Sequence, residues 1–318
     1  MNEQQFTPFL QQLKLLNPSQ KQRLHHNLEA LETSAEEVLT VKATLRECPH
    51  CQSEKLKPWG SSHGLPRYRC VKCLKTCNPL TKSPLARLRK RDKWLLYAQA
   101  LIDGLSIRKA AKLCGVNKNT AFQWRHRFLA LANTHQAIHE EGIVEADETF
   151  FLESFKGQRN LPREARKRGG VGKTRGTSDD QIPVLVVRDR HKSTATIILD
   201  RIDAIHIEAA LSPLVESDAI LCTDGAAVYS AFCKKTGIEH EVIKSKGPRA
   251  RGAFHIQNVN AFDSRLKGWM KRFNGVATKY LGNYLGWRRM LERYQGGITP
   301  DICLFEAVGR TPQQLIQT

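Results

Sequence analysis

No uninterrupted apolar run in the 318 residues approaches the roughly 20 that a membrane-crossing helix needs, so no membrane partner is expected. The start, MNEQQFTPF, lacks a basic region followed by an apolar one; the chain is expected to be soluble and cytoplasmic. Acidic residues are scarce, 31 Asp and Glu against 50 Lys and Arg, leaving a net charge of +19. That imbalance argues for a polyanionic partner, nucleic acid or an anionic surface. A disulfide framework is also missing. The nine cysteines are odd in number, and five of them (Cys77, Cys114, Cys222, Cys233 and Cys303) are scattered among apolar neighbours. This is the pattern of metal ligands plus buried thiols in a reducing compartment. A nucleotide-binding phosphate loop is absent too, because the first glycine demanded by Gly170-Val-Gly-Lys-Thr174 would fall at Lys167 and no strand leads into the segment.

What is present is enough apolar content, 41%, for two or three domains with cores of their own. Residues 1–45 carry Leu10, Leu13, Leu16, Leu24, Leu28, Leu31 and Val38 at helical spacing, broken at Asn17-Pro18-Ser19; two short amphipathic helices are expected. Residues 46–82 hold two C-x-x-C pairs, Cys48 with Cys51 and Cys70 with Cys73, eighteen residues apart. Four thiolates on two tight turns make a soft tetrahedral shell for one structural Zn²⁺, with Trp59, Tyr68 and Arg69 on the short strands of a zinc ribbon.

Residues 87–130 begin with a basic run, Arg87 to Arg91, and a helical pattern from Lys93 to Leu105. Then Ala110 and Ala111 permit a close helix crossing, Gly115 allows a turn, Val116 plugs the corner and Asn117 caps a second helix. This is a helix-turn-helix pattern. Its second helix is expected to present Lys118, Asn119, Thr120, Gln123, Trp124 and Arg127, with amides and guanidinium for base edges and lysines for phosphates. Residues 130–141 read as a linker.

Residues 141–295 open with GIVEADETFF. On a strand, Glu145, Asp147 and Thr149 point one way and Val144, Ala146 and Phe150 the other. A carboxylate inside such a strand is costly unless metal or hydrogen bonds pair with it. The pattern returns at ILCTDG, where Asp224 ends a short apolar strand, so two strand-borne aspartates form a candidate cation site. Between them lies a basic loop, 153–180, with Arg166, Lys167 and Arg168 suited to a nucleic-acid backbone. Strands at Ile182–Arg188 and Thr194–Leu199, a helix at Ala204–Val215, the Asp224 strand, a helix at Ala226–Thr236 and a strand at Glu239–Ile243 give a β-β-β-α-β-α-β order. A helix from Gln257 to Phe273 follows, and the residues from Gln295 on, including the tail 296–318, read as irregular.

Asp147 on the first strand, Asp224 after the fourth, Asn260 thirty-six positions later and Lys267 seven beyond that resemble the D, D(35)E pattern of ribonuclease-H-like transposases. With the zinc ribbon and helix-turn-helix, the chain resembles a bacterial insertion-sequence transposase of the zinc-ribbon-bearing type, whose third ligand is glutamate, asparagine or histidine. The resemblance spans residues 45–295 and is most distinctive at VEADETFF, LCTDG and the stretch from Asn258 to Leu291. It implies a multidomain α/β protein: N-terminal helices, zinc ribbon, helix-turn-helix, then a ribonuclease-H-like mixed sheet flanked by helices. It further implies a DNA transposase associated with the bacterial nucleoid, acting on double-stranded DNA as a homo-oligomer. Two Mg²⁺ (or Mn²⁺) would be held per site, with Asp147 bridging them and Asp224 and Asn260 each holding one, while Lys267 grounds a phosphate. An asparagine carbonyl can coordinate magnesium but adds no charge. Asp263, three residues on and on the same helical side, is the rival third ligand; an N-terminal cap is the structural alternative for Asn260. His255 and Arg265 are further candidates for DNA contact. Two other functions fit the same residues: a catalytically decayed, zinc-dependent DNA-binding protein, or a related metal-dependent DNA nuclease.

Overall fold

The computed structural model describes residues 3–21, 24–25, 35–42, 45–166, 178, 180–244 and 247–309. Contacts divide the chain into two compact units, Met1–Phe128 with Gly297–Thr318, and Leu129–Gly296.

The first unit starts with α1, Glu3–Leu13, whose Phe6, Phe9 and Leu10 are exposed. The break expected after it is made by Asn17 and Gln20, each side chain accepting the other's backbone N–H at 2.9 Å. The second expected helix rests partly on Leu28 and Leu31, which lie outside the described residues. Strands β1 (Leu56–Ser62), β2 (Leu65–Cys70) and β3 (Thr76–Cys77) form an antiparallel sheet in the order of the sequence. Helices α2 (Trp94–Ile102), α3 (Ile107–Leu113) and α4 (Lys118–Phe128) follow. Ser106 caps α3 by accepting the Lys109 N–H, Gly115 takes φ 62° at the turn, and Asn117 Oδ1 accepts the Asn119 N–H at 2.8 Å. Trp124, expected on the presented face, is instead buried, edge-on to Tyr97 at 5.3 Å. A side chain of that size gains roughly 1.5–3 kcal/mol by leaving water, and Trp124 lies with Ala121, Arg125 and Phe128 on the buried side of the helix. The tail expected to be irregular carries α9, Pro300–Ala307, packed on α2 and α4. Pro300 stands at the start of that helix, where its missing N–H is harmless, and Cys303, Leu304 and Phe305 are buried.

The second unit is built on a five-stranded sheet in the order β6-β5-β4-β7-β8. Its strands are β4 (Ile143–Leu152), β5 (Gln181–Asp189), β6 (Thr194–Ile198), β7 (Ile220–Thr223) and β8 (Glu239–Val242). The first three pair antiparallel, and β7 and β8 join parallel to β4 and to each other. Helices α5 (Ala204–Leu211) and α6 (Ala227–Thr236) provide the crossovers. Alternation on β4 divides the molecule as the sequence suggests: Val144 and Ala146 enter one core with Ile207, Leu211, Tyr229 and Phe232. The other face of β4 receives α7 (Gln257–Lys271). Helix α8 (Leu281–Arg293) packs on β6. This is the mixed sheet flanked by helices that the resemblance to ribonuclease-H-like transposases implies.

Helix α5 stops before the expected Val215 because Pro213 cannot continue it. Residues 130–141 are no free linker. Leu129 and Ala132 are buried, and Arg289, itself buried, donates to the carbonyl oxygens of Ala132 at 3.2 Å and Asn133 at 2.8 Å. Gly286 makes this strap possible, since a Cβ there would lie 2.3 Å from the Ala132 carbonyl carbon.

Candidate active site and DNA-contacting surfaces

In the first unit the two knuckles bring the Sγ atoms of Cys48, Cys51, Cys70 and Cys73 within 4.8 Å of one another. Cys48 Sγ lies 3.7 Å from Cys73 Sγ, and Cys51 Sγ 3.6 Å from Cys70 Sγ. Zinc–sulfur bonds of about 2.3 Å in a tetrahedron set sulfurs about 3.8 Å apart, so the donor set and its spacing fit the ion. The Cys73 N–H donates to Cys70 Sγ and holds that thiol down to about 6. Cys77 stays outside the set, its thiol pushed up to about 11 by burial. His50 Nε2 sits 3.4 Å from the Thr76 carbonyl oxygen.

On α4, Lys118, Asn119 and Gln123 are exposed and Thr120 half-buried. Arg127 is exposed as expected, but its guanidinium donates to the carbonyl oxygens of Pro84 and Ala86, the latter at 2.9 Å. It ties the segment between ribbon and helices to α4. In the second unit Arg166 pairs with Asp180 at 2.8 Å. Lys167 and Arg168 lie outside the described residues.

Asp147 sits on β4 opposite Val186, half-buried, with its Oδ1 accepting the Glu148 N–H at 2.9 Å. Asp224 follows β7 and is exposed, its Oδ1 accepting the Ala226 N–H at 3.0 Å. The turn there demands Gly225, at φ 89°, where a Cβ would lie 2.3 Å from Val242 Cγ1. Burial raises the Asp147 carboxyl above its ordinary range; the Asp224 charge raises it further and the Lys267 charge opposes. Asp147 therefore feels both charges. From α7, Asn260 and Lys267 are exposed and Asp263 is buried. Burial pushes the Asp263 carboxyl up to about 7, with Lys267 lowering it and Asp147 raising it. The Thr149 hydroxyl is buried beside the Asp263 carboxyl and lowers it by hydrogen bonding. Carboxyl and hydroxyl oxygens of this kind beside Asp147 suit a hard, oxygen-seeking cation. The donor atoms do not converge as the cysteines do: among the described residues the four cysteines alone form so tight a group of His, Cys, Asp or Glu ligands.

Two carboxylates missed as site residues flank Asp147. Glu145 is fully buried; its Oε1 pairs with Arg190 and, at 3.2 Å, with His255 Nδ1, while its Oε2 accepts the Val259 N–H at 2.9 Å. Its signal was its shared strand face with Asp147. Glu148 Oε1 accepts the Tyr229 hydroxyl at 2.6 Å, and burial raises its carboxyl. His255 is thus engaged with Glu145, and burial first, then Arg190, lowers its imidazole. Arg265 is likewise engaged, forking onto Glu292 at 2.7 and 2.9 Å.

Residues 140–288 match the ISXO2-like transposase domain, and residues 87–134 a homeodomain-like domain. Residues 140–288 are thus a transposase domain of the ISXO2-like kind. Over 246 residues the transposase is 28% identical to an uncharacterised protein of the transposable element ISH50 of Halobacterium salinarum, covering 75% of this chain and 82% of that one. Similar solved structures include a simian T-cell lymphotropic virus intasome in complex with PP2A regulatory subunit B56 gamma. There the TM-score is 0.30 and identity 12%, over 60% of this chain and 66%, just under two thirds, of that one. Another is a pre-cleavage Mos1 transpososome, with TM-score 0.23 and identity 11%, over 70% of this chain and 81% of that one. Among the described residues no helix is long and apolar enough to cross a membrane.

Proposed function

We propose that the transposase cuts the ends of its insertion sequence and joins them to a target duplex, after the zinc ribbon and helix-turn-helix bind the terminal inverted repeats. The observation that supports this is that Asp147, on β4, feels the charges of both Asp224, at the end of β7, and Lys267, on α7. Asp147 and Asp224 hold a pair of Mg²⁺ or Mn²⁺ ions, with Asn260 as the third ligand, and Cys48, Cys51, Cys70 and Cys73 hold one Zn²⁺. Divalent cations bound there supply activation of the attacking hydroxyl and stabilisation of the leaving oxygen. Lys267 neutralises a phosphate oxygen beside the site. Lys118, Asn119, Thr120 and Gln123 face DNA, the basic loop around Arg166, Lys167 and Arg168 tracks its backbone, and two protomers pair two ends in the nucleoid.

The test is a joining assay with purified protein, labelled DNA carrying the terminal repeat, supercoiled target and Mg²⁺, run beside Asp147→Ala and Asp224→Ala. Metal-dependent joined product that vanishes in both variants is expected. Cleavage without joining would reassign the protein as a nuclease. Repeat binding with no cleavage in any metal favours the decayed DNA-binding reading, which the uncharged, exposed Asn260 keeps open.

A further inference from the structure

Helix α7 has two polar sides of different character. Asn260 and Lys267, seven residues apart, share the side on which Lys267 bears on Asp147, while Asn258, Ala261 and Arg265 share nearly the opposite one. On that second side α7, α8, the end of β5 and the turn after it enclose a cavity of about 480 Å³. Four cations line it, Arg188, Lys192, Arg265 and Arg288, against one acid among the described lining residues, Glu292.

The cluster is built around that acid. Glu292 Oε1 accepts Arg265 Nε at 2.7 Å and Arg288 Nη2 at 2.5 Å, and its Oε2 accepts Arg265 Nη2 at 2.9 Å and Arg188 Nη1 at 3.2 Å. Burial raises the Glu292 carboxyl, but hydrogen bonds from Arg265 and Arg288 outweigh it and hold the group down to about 2. Arg188 is fixed further, donating to Thr194 Oγ1 at 3.0 Å with its guanidinium 5.6 Å from the Phe262 ring centroid. Its side chain is 7% exposed and that of Arg288 17%, so both charges are largely out of water. Arg265 and Lys192 are the exposed members.

One carboxylate balances one guanidinium. Four cations less one acid leave three positive charges in a partly desolvated recess, more than a structural ion pair needs. An anion from outside completes the balance, and Arg265 keeps Nη1 for it, since its Nε and Nη2 are committed to Glu292. Planar guanidinium forks match the oxygens of a phosphate. The described lining holds no aromatic side chain on which a base could stack, so the site suits a sugar-phosphate backbone and is blind to sequence. Such a contact fits the target duplex, since the terminal repeat is the DNA that α4 is placed to read. A helix with its side chains is about 10–12 Å across, roughly three steps of a duplex at about 3.4 Å each. A strand that reacts beside Asp147 therefore has a further phosphate to lay on the other side of α7.

We infer that Arg188, Lys192, Arg265 and Arg288, arranged around Glu292, form an anion site that grips a backbone phosphate of the target duplex. The inference rests on the transposition reading. Glu292 holds the three guanidiniums in place against their mutual repulsion, so that the site is ordered before DNA arrives.

The experiment uses the full chain, terminal-repeat DNA supplied with its 3′-hydroxyl already exposed, Mg²⁺, and increasing concentrations of supercoiled target. Lys192→Ala and Arg265→Ala are each expected to raise the target concentration for half-maximal joining by about tenfold, with joining recovering at saturating target. Each is also expected to lower the slope of log target affinity against log salt by about 1. Arg265→Lys, which keeps the charge without the fork, is expected to recover part of the loss. Lys192→Ala, exposed and outside the Glu292 hydrogen bonds, keeps the test open where Arg265→Ala fails to fold. Unaltered target dependence in variants that still join overturns the site and leaves transposition standing. A lower maximum with an unchanged half-maximal target concentration marks a structural role and overturns it too. Equal weakening toward the terminal repeat and the target assigns the cluster to the end, which also overturns the inference. No joined product from the unaltered protein at any target concentration overturns the transposition reading, and the site with it.

Discussion

Glu145 Oε2 accepts the backbone N–H of Val259 at 2.9 Å, joining the strand that bears Asp147 to the first turn of the helix that bears Asn260, Asp263 and Lys267. The carboxylate is fully buried, and Arg190 and His255 hold its other oxygen. A negative charge at a helix N-terminus is favourable, and here it also sets where α7 begins relative to Asp147. Removing one partner of a buried ion pair costs about 3–5 kcal/mol because the other charge is left stranded. Glu145→Ala is expected to lower the melting temperature and abolish cleavage, while Glu145→Gln keeps the Val259 bond and part of both. Calorimetry and the cleavage assay, run side by side, check this. Glu145→Ala with unchanged stability and cutting would remove Glu145 from the site's support.

Much of this architecture is legible in the chain because local spacing encodes it. Each C-x-x-C knuckle, the Ala110-Ala111 to Gly115 turn and the alternation through Asp147 declare an element within a dozen residues. What spacing does not encode is partnership across the sequence. The Glu145–Val259 bond spans 114 residues, and Arg127 reaches carbonyls more than forty residues away. Trp124 has the look of a presented residue until α2 supplies Tyr97 to cover it. The tail's short apolar run ICLF becomes a helix because α2 and α4 bury it. The same limit applies on α7: spacing offers both Asn260 and Asp263, and only the fold shows that Asn260 is exposed and Asp263 buried.

The ribbon is too small to bury a core of its own, and metal binding in comparable small domains supplies about 10–16 kcal/mol of folding energy. One zinc per chain is therefore expected by native mass spectrometry. Cys51→Ser or Cys73→Ser, or a strong chelator, should release it and unfold the segment Cys48–Cys77, weakening repeat binding. Full repeat affinity in zinc-free protein would sink a structural role for the metal.

The recognition helix divides into residues that hold the fold and residues that face outward. Arg127 donates to two carbonyls, so Arg127→Ala should cost about 1–3 kcal/mol of stability. Asn119→Ala and Gln123→Ala should leave the melting temperature in place and lose about 1–3 kcal/mol of discrimination between the repeat and scrambled DNA. Competition binding with the two DNAs separates the effects. Loss of discrimination confined to Arg127→Ala would reverse the assignment.

Glu140 is fully buried, and the hydrogen bond from the Asp189 backbone only partly offsets that burial. Burial, then the neighbouring Asp189 charge, push its carboxyl up to about 8, against the opposing charge of Arg188. The native state therefore keeps a proton that the unfolded chain releases near its ordinary value of 4.5. Between those two values the native state binds more protons, so stability should fall as pH rises from about 4.5 through about 8. Glu140→Gln should flatten that fall and be the more stable protein at pH 9, by on the order of 2–4 kcal/mol. Denaturant titrations at pH 5 and pH 9 give the comparison. Parallel pH curves for the two proteins would show that Glu140 is not the titrating group.

The third ligand is decided between two side chains one turn apart on α7. Asn260 has the spacing from Asp224 and the lysine seven residues on, and its exposure leaves its carbonyl open to an ion shared with Asp147 and with DNA. Asp263 has the charge, but burial raises its carboxyl to about 7 and the Thr149 hydroxyl already hydrogen-bonds with it. A neutral carbonyl at the mouth costs less to desolvate than a second buried carboxylate beside Asp147. On that basis Asn260→Ala should lose most of the cleavage and Asn260→Glu should retain it, with a lower Mg²⁺ requirement from the added charge. Asp263→Asn, which keeps the shape, should retain cutting and lose at most a few-fold. Magnesium titrations of the three variants carry the decision. Full activity in Asn260→Ala, together with loss in Asp263→Asn, would move the ligand to Asp263.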